Sequence, residues 1–169
     1  MKRLKTILFA TVLSLGVLGF AQAQSKVAHI NSTDLIQAMP EMKSAQAQME
    51  KLGKTYEADI KSMATELDNK IKQYDAEAAT QTNEENAKRA QELQTIENNI
   101  RQYQAQAQRD LQQKELDLLQ PITEKAKAAI LKVAKAQGFQ YVLDSSQGNG
   151  VIMAEGTDLL DDVKKELGI

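Results

Sequence analysis

The side chains able to do chemistry are few in kind. The 169-residue chain has no cysteine and one histidine, His29, beside 23 Asp or Glu and 21 Lys or Arg. Without thiols there is no disulfide, no thiolate metal site and no lipid anchor on Cys. With one imidazole, a histidine-based zinc site or a Ser-His triad lacks its parts. The carboxylates alternate with Lys and Arg along Gln-rich stretches, the pattern of a solvated helix face rather than of an acid–base pair. Gly148-Asn149-Gly150 is followed by no Gly-Lys-Ser/Thr and opens no helix, so it reads as a turn and not as a phosphate loop. Asp158, Asp161 and Asp162 lack the spacing of an EF-hand and read as acids at the start of a helix. His29 reads as a strand residue, with pH sensing as the alternative. Catalysis, a cofactor and a metal therefore find no support, and a net charge of −2 gives none for nucleic-acid binding. What remains is contact chemistry. Met42, Met49 and Met63 are flexible and polarisable, and Tyr56, Tyr74 and Tyr103 are amphipathic. They either pack along a helical seam or touch other chains loosely.

The elements that position them follow from periodicity. Glu41 to Gln137 is rich in Gln, Glu, Lys and Ala, a long-helix composition. Ala45, Met49, Leu52, Tyr56, Ile60, Met63, Leu67, Ile71, Tyr74 and Ala78 recur about every 3.67 residues, the step of an 11-residue repeat and a nearly straight seam. A second stripe runs through Leu93, Ile96, Ile100, Tyr103, Ala107 and Leu111. Between them, residues 79–86 carry nothing apolar beyond alanine, and Asn83 offers a cap. This pattern predicts an antiparallel hairpin folded near Thr82, in which paired residue numbers add up to about 165. One continuous helix in a parallel coiled coil is the alternative. Gly53 lies inside the first arm, either as a hinge with Pro121 of the opposite helix or as a point of close helix approach.

The ends of the chain are different. Lys2, Arg3 and Lys5, then an apolar run from Ile7 to Phe20, then Ala21-Gln22-Ala23 read as a signal peptide over 1–23. Its removal leaves 18 Lys or Arg against 23 Asp or Glu, a net charge of −5. Residues 24–40 and 121–169 form a small β-rich body, and 41–120 the helical hairpin. In the body, Lys26 to Ile30 reads as extended, Asn31 to Asp34 as a helix cap, and Pro40 as the first turn of the next helix. Gly138 ends the long helix; Phe139 to Leu143 and Val151 to Ala154 read as strands. Thr157 or Asp158 then caps a last helix, Leu159 to Leu167. A body of this size is marginal alone and has open strand edges, so it asks for association with copies of itself. Val27, Ile30, Tyr141, Val142, Leu143, Val151, Ile152 and Met153 are the candidates for that interface. The fold class is α+β: a long antiparallel hairpin on a small β-strand body.

This order of elements resembles the Skp/OmpH family of periplasmic chaperones. The residues that carry the resemblance are Lys26-Val27-Ala28-His29-Ile30-Asn31, Leu35 with Pro40 and Lys43, and the Gln-rich hairpin. They continue with Pro121-Ile122, Ala129-Ile130, Val133-Ala134, Gly138-Phe139, Tyr141-Val142-Leu143-Asp144, and Thr157-Asp158-Leu159 with Val163 and Leu167. The resemblance implies a homotrimer with an inter-subunit β-barrel and three helical tentacles around a cavity. It implies an exported, periplasmic, nucleotide-independent holdase for unfolded outer-membrane proteins. Met42, Met49, Tyr56, Met63, Tyr74 and Tyr103 are then candidate client contacts. Well-known members are strongly basic whereas this chain is acidic, which argues against a grip resting mainly on positive charge. For Lys88-Arg89 at the hairpin tip, a solvated pair is the first reading and weak contact with anionic lipid headgroups the second. A structural or adaptor hairpin of the cell envelope is the alternative function.

Overall fold

The computed structural model describes residues 25–169; the signal peptide read over 1–23 lies outside them. Strand β1 (Val27–Ile30) leads into α1 (Ser32–Ala38), whose first turn is capped by the Asn31 side chain accepting the Asp34 N–H at 3.1 Å. Met39 is extended, and Pro40 occupies the first turn of α2 (Pro40–Glu77), where its missing N–H has no partner to lose. A short 3-10 turn, Ala78–Thr80, reverses the chain. Helix α3 (Asn83–Ala136) then returns over 54 residues without a break. Its cap is Thr82, not Asn83: Thr82 is the extended residue, and its Oγ1 accepts the Glu85 N–H at 3.1 Å. Gly138, at φ +74°, closes the helix in the left-handed conformation that glycine adopts without strain.

The chain continues into β2 (Tyr141–Asp144), β3 (Thr157–Asp158) and α4 (Leu160–Leu167). The strands form one parallel sheet in the order β2-β1-β3, with Val27 opposite Tyr141, His29 opposite Leu143 and Asp158, and Ile30 opposite Asp144. One face of this sheet packs on the body ends of the helices. Ile30, Leu35, Met39, Leu159 and Val163 are fully buried there, with Ile122, Ala126, Ala129, Val133 and Phe139 around them. The helix contributes three alanines, Ala126, Ala129 and Ala134, to this contact beside Ile122 and Val133.

Three local expectations change. Val151-Ile152-Met153-Ala154 is not a strand; the third strand is Thr157–Asp158, and Ile152 and Met153 are exposed. β1 already carries β2 on one edge and β3 on the other, and 151–154 adds to the outer edge of neither. The second strand begins at Tyr141 rather than Phe139, because Phe139 turns into the core beneath the Lys26 ammonium, 4.2 Å from its ring. Helix α4 begins at Leu160 with no side-chain cap at its N-cap residue Leu159, although the Asp158 carboxylate accepts the Leu160 N–H at 2.9 Å.

Asp144 fastens the body. Its carboxylate accepts from the Ser32 N–H at 3.2 Å, the Ser146 N–H at 3.0 Å, both serine hydroxyls and the Asn149 amide. It thus ties the end of β2 to the start of α1 and turns the following loop. Partial burial pushes its carboxyl up, but the bonds from Ser32 and Ser146 outweigh burial and hold it down at about 2. A depressed carboxyl contributes stability that is fully present above its unfolded value and lost as pH falls through its folded one. Asp144→Asn is expected to cost about 1–3 kcal/mol at pH 7, the range for a broken buried hydrogen-bond set. The deficit should shrink between about pH 4 and pH 2 as the wild-type carboxylate is itself protonated. Urea denaturation across that range measures it; a deficit that stays constant with pH overturns the assignment.

Candidate functional site

The arms meet along the two apolar stripes read from the sequence. In α2 every stripe residue from Ala45 to Tyr74 is at least partly shielded, and in α3 every one from Leu93 to Leu111. The register is antiparallel: Glu41 faces Lys125, Tyr56 faces Asp110, Tyr74 faces Glu92 and Glu77 faces Arg89, each pair of numbers adding to 166.

The three tyrosines sit in this seam as clasps. The Tyr56 hydroxyl donates to Asp110 at 2.8 Å, Tyr103 to Asp59 at 2.7 Å and Tyr74 to Glu92 at 2.8 Å, each reaching from one arm to the other. The Tyr56 and Tyr103 rings meet edge to face, with centroids 5.8 Å apart. The hydrogen bond to Asp59, with burial, pushes the Tyr103 hydroxyl up to about 12, so it remains a donor at any physiological pH. Met63 lies half-buried in the seam, and it lines a shallow surface with Tyr103. Of the candidate contacts, the tyrosines are thereby committed to holding the arms together.

Met42 and Met49 are placed differently. With Ala45, Leu118 and Leu119 they line an apolar groove of about 300 Å³ at the root of the arms, whose rim is formed by Gln46 and Glu115. Leu118 and Leu119 were not singled out from sequence; both are half-buried, and Leu118, like Met42, also packs against the body core. Leu116 is also exposed nearby. The root of the hairpin thus presents thioether and branched aliphatic surface to solvent.

At the tip, Arg89 is folded into the hairpin. Its guanidinium lies 4.6 Å from the Tyr74 ring centroid, 2.8 Å from Glu77 and 3.6 Å from Glu85, and its side chain is only 15% exposed. Lys88 pairs with Glu84 at 3.2 Å. Hydrogen bonds from Gln73 and then Arg89 lower the Glu77 carboxyl, and bonds from Lys70 and Tyr74 lower that of Glu92. Arg89 is therefore occupied within its own chain, which leaves it unsuited to a lipid headgroup.

The second candidate surface is the outer face of the sheet. Alternation along β1 and β2 places Ala28 and Ile30 inward, and Val27 (44% exposed), Tyr141 (60%) and Leu143 (47%) outward. Of the residues expected at a subunit interface, Ile30 is buried in its own core and Val142 packs against that core, so neither lies on this face. Ile152 and Met153 project from the loop that follows Gly150, and Val151 is half-buried.

Residues 26–167 match the family described as Outer membrane protein (OmpH-like). The chain belongs to the OmpH-like family. Among curated proteins no sequence matches it. Its fold is similar to the crystal structure of a candidate OmpH-like outer membrane chaperone from Caulobacter crescentus CB15, with a TM-score of 0.76 and 22% identity over 87% of each chain. Long helices with a small sheet at their base are thus the OmpH-like fold.

Gly53 can be placed within this OmpH-like arm. A Cβ added there meets nothing within 4 Å, so the glycine does not serve close helix approach as one reading had it. Pro121 is exposed within α3, which continues past it, although the Asp117 carbonyl cannot receive the N–H that proline lacks. Gly53→Ala is expected to raise stability by up to about 1 kcal/mol, the helix-propensity difference. Thermal unfolding measures it, and a destabilised variant would show that Gly53 has a role that the open space around it does not reveal.

Proposed function

We propose that this chain is a periplasmic, nucleotide-independent holdase that shields unfolded outer-membrane proteins between its arms. Family membership over residues 26–167 supports the chaperone class. The observation that carries the reading further is the open groove of Met42, Met49, Leu118 and Leu119 at the root of the arms. Methionine and leucine on a rigid rod can meet many apolar sequences without selecting one, because the thioether side chain adapts its rotamers to each. In this reading Met42 and Met49 touch the client, and Met63 with the tyrosines holds the seam. The leader at 1–23 directs export. Gly53 and Pro121 act as soft points in the lower arm that let the cavity widen.

In the same proposal three copies associate through the outer sheet face. Val27, Tyr141 and Leu143 form its centre, and Val151, Ile152 and Met153 supply a segment free to pair with a neighbour and close an inter-subunit barrel. A fully exposed Ile152 next to an exposed Met153 is costly in water, and the strand propensity of 151–154 finds no ladder within the chain. The arms of the three copies would then enclose a cavity with the grooves at its base.

The mature chain, added to a urea-unfolded β-barrel protein before dilution, is expected to suppress turbidity without nucleotide. The effect should persist from about 50 to 500 mM salt, over which exposed charge attraction is strongly screened. An adaptor protein leaves turbidity unchanged, and loss of most of the effect at high salt points to an electrostatic grip instead. The two neighbouring positions of β2 separate assembly from folding. Leu143→Asp is expected to give a folded, dissociated chain by light scattering and circular dichroism. Val142→Asp should unfold it, since a charge buried against the core costs several kcal/mol. Assembly unchanged in Leu143→Asp overturns the proposed interface.

A further inference from the structure

The one histidine of the chain occupies the middle of the face just described. His29 lies on β1, the central strand, flanked in register by Leu143 on β2 and Asp158 on β3. Alternation puts its ring on the outer face with Val27, Tyr141 and Leu143, half-buried in the single chain. Its Nδ1 is already shut off from solvent and has no hydrogen-bond partner. The titratable groups on the strands beside it are the Tyr141 phenol and the Asp158 carboxylate, the latter engaged by the Leu160 N–H at 2.9 Å, and the Asp144 carboxylate, which stands opposite Ile30 on the other face of the sheet. The helices pack on the opposite face.

We propose that His29 makes assembly of this chain proton-sensitive: the copies associate with a neutral imidazole, and acidification drives them apart. The inference rests on the proposed association through the outer sheet face and adds its regulation. A neutral ring carries one N–H and one bare nitrogen. The bare nitrogen can stay at the buried, partnerless Nδ1 position at modest cost, leaving the N–H at Nε2. Protonation places an N–H and a positive charge at both nitrogens. The buried N–H would then have no acceptor, and covering the face with a second copy would also remove water from the charge. The first cost is the same in the separated chain, where Nδ1 is already buried; the second falls on the assembled state alone and leaves the separated chain, where the outer part of the ring meets water, the better host for the cation. Asp158 is the one group that could reverse the sign, by pairing with the imidazolium, and its bond to the α4 N-terminus competes with that role.

An interface that admits only the neutral ring weakens at each copy as the imidazole gains its proton, so the effect compounds over the copies that associate. The window between pH 7.5 and 5.5 lies above the carboxylate range, and Asp144, held at about 2, stays ionised throughout it.

Sedimentation of the full mature chain at a series of concentrations, at pH 7.5 and 5.5, tests the proposal, with circular dichroism to follow folding. The wild type should dissociate at pH 5.5 at concentrations that keep it assembled at pH 7.5. His29→Val, which suits the strand and cannot titrate, should assemble equally at both pH values. His29→Gln, polar but uncharged, should also lose the pH dependence and so separates charge from side-chain shape should the valine variant fold poorly. A monomer at pH 7.5 in the wild type overturns the assembly reading and this inference with it. An assembled wild type whose association is unchanged at pH 5.5, or variants that keep the wild-type pH dependence, overturn the role of His29 and leave the assembly reading standing.

Discussion

Two helices lying side by side can bury only one stripe each, and the rest of this molecule is arranged around that constraint. Outside the body, few residues of α2 and α3 are fully buried: Ala45 in the first, Ile100 and Ala107 in the second. The seam consequently draws on polar groups as well as apolar ones. Tyrosine hydroxyls reach across to carboxylates, and Glu41–Lys125 and Glu77–Arg89 close the two ends. Exposed ion pairs are individually weak, but here they recur in one register, so each disfavours a slip of the helices that the apolar stripe alone would tolerate. The same register sets Met49, a residue of the stripe, beside Met42, Leu118 and Leu119, all half-buried around the groove at the root of the arms.

The body answers a different constraint. It has three short strands packed by one face on the helices, and its outer face is left apolar. Asp144 compensates within the chain by drawing α1, β2 and the following loop onto one carboxylate. It cannot shield Val27, Tyr141 and Leu143, which lie on the other side of the sheet.

The arms were legible in the sequence because their pattern is local and repeated. The stripe from Ala45 to Tyr74, the turn near Thr82 and the pairing register all follow from spacing along one helix face. Caps were legible where one side chain dominates, as at Asn31, and not where two neighbours compete, as at Thr82 and Asn83. The third strand was not legible. Val151-Ile152-Met153-Ala154 has the composition of a strand, but strand formation depends on a vacant edge, and which edges of β1 are vacant is set by residues far away in the chain. For the same reason the clasp around Asp144 escaped notice: Ser32 stands 112 positions away in sequence and Ser146 two. Among the candidate contacts, methionines and tyrosines share a stripe, and only the carboxylates opposite the tyrosines, on the partner arm, separate them into grooves and clasps.

Helix α3 is a single rod that begins at the tip and ends inside the body, so arm and base are one mechanical piece. Ile122, Ala126, Ala129 and Val133 grip its last turns while about 40 residues extend beyond them, close to 60 Å at 1.5 Å per residue. Over such a length a tilt of about 5° at the grip sweeps the tip through about 5 Å. Ala126 and Ala129 lie at this fulcrum between Ile122 and Val133. The position of the tip is therefore set by the angle at the base, and a change too small to disturb the core can move it by the width of a side chain.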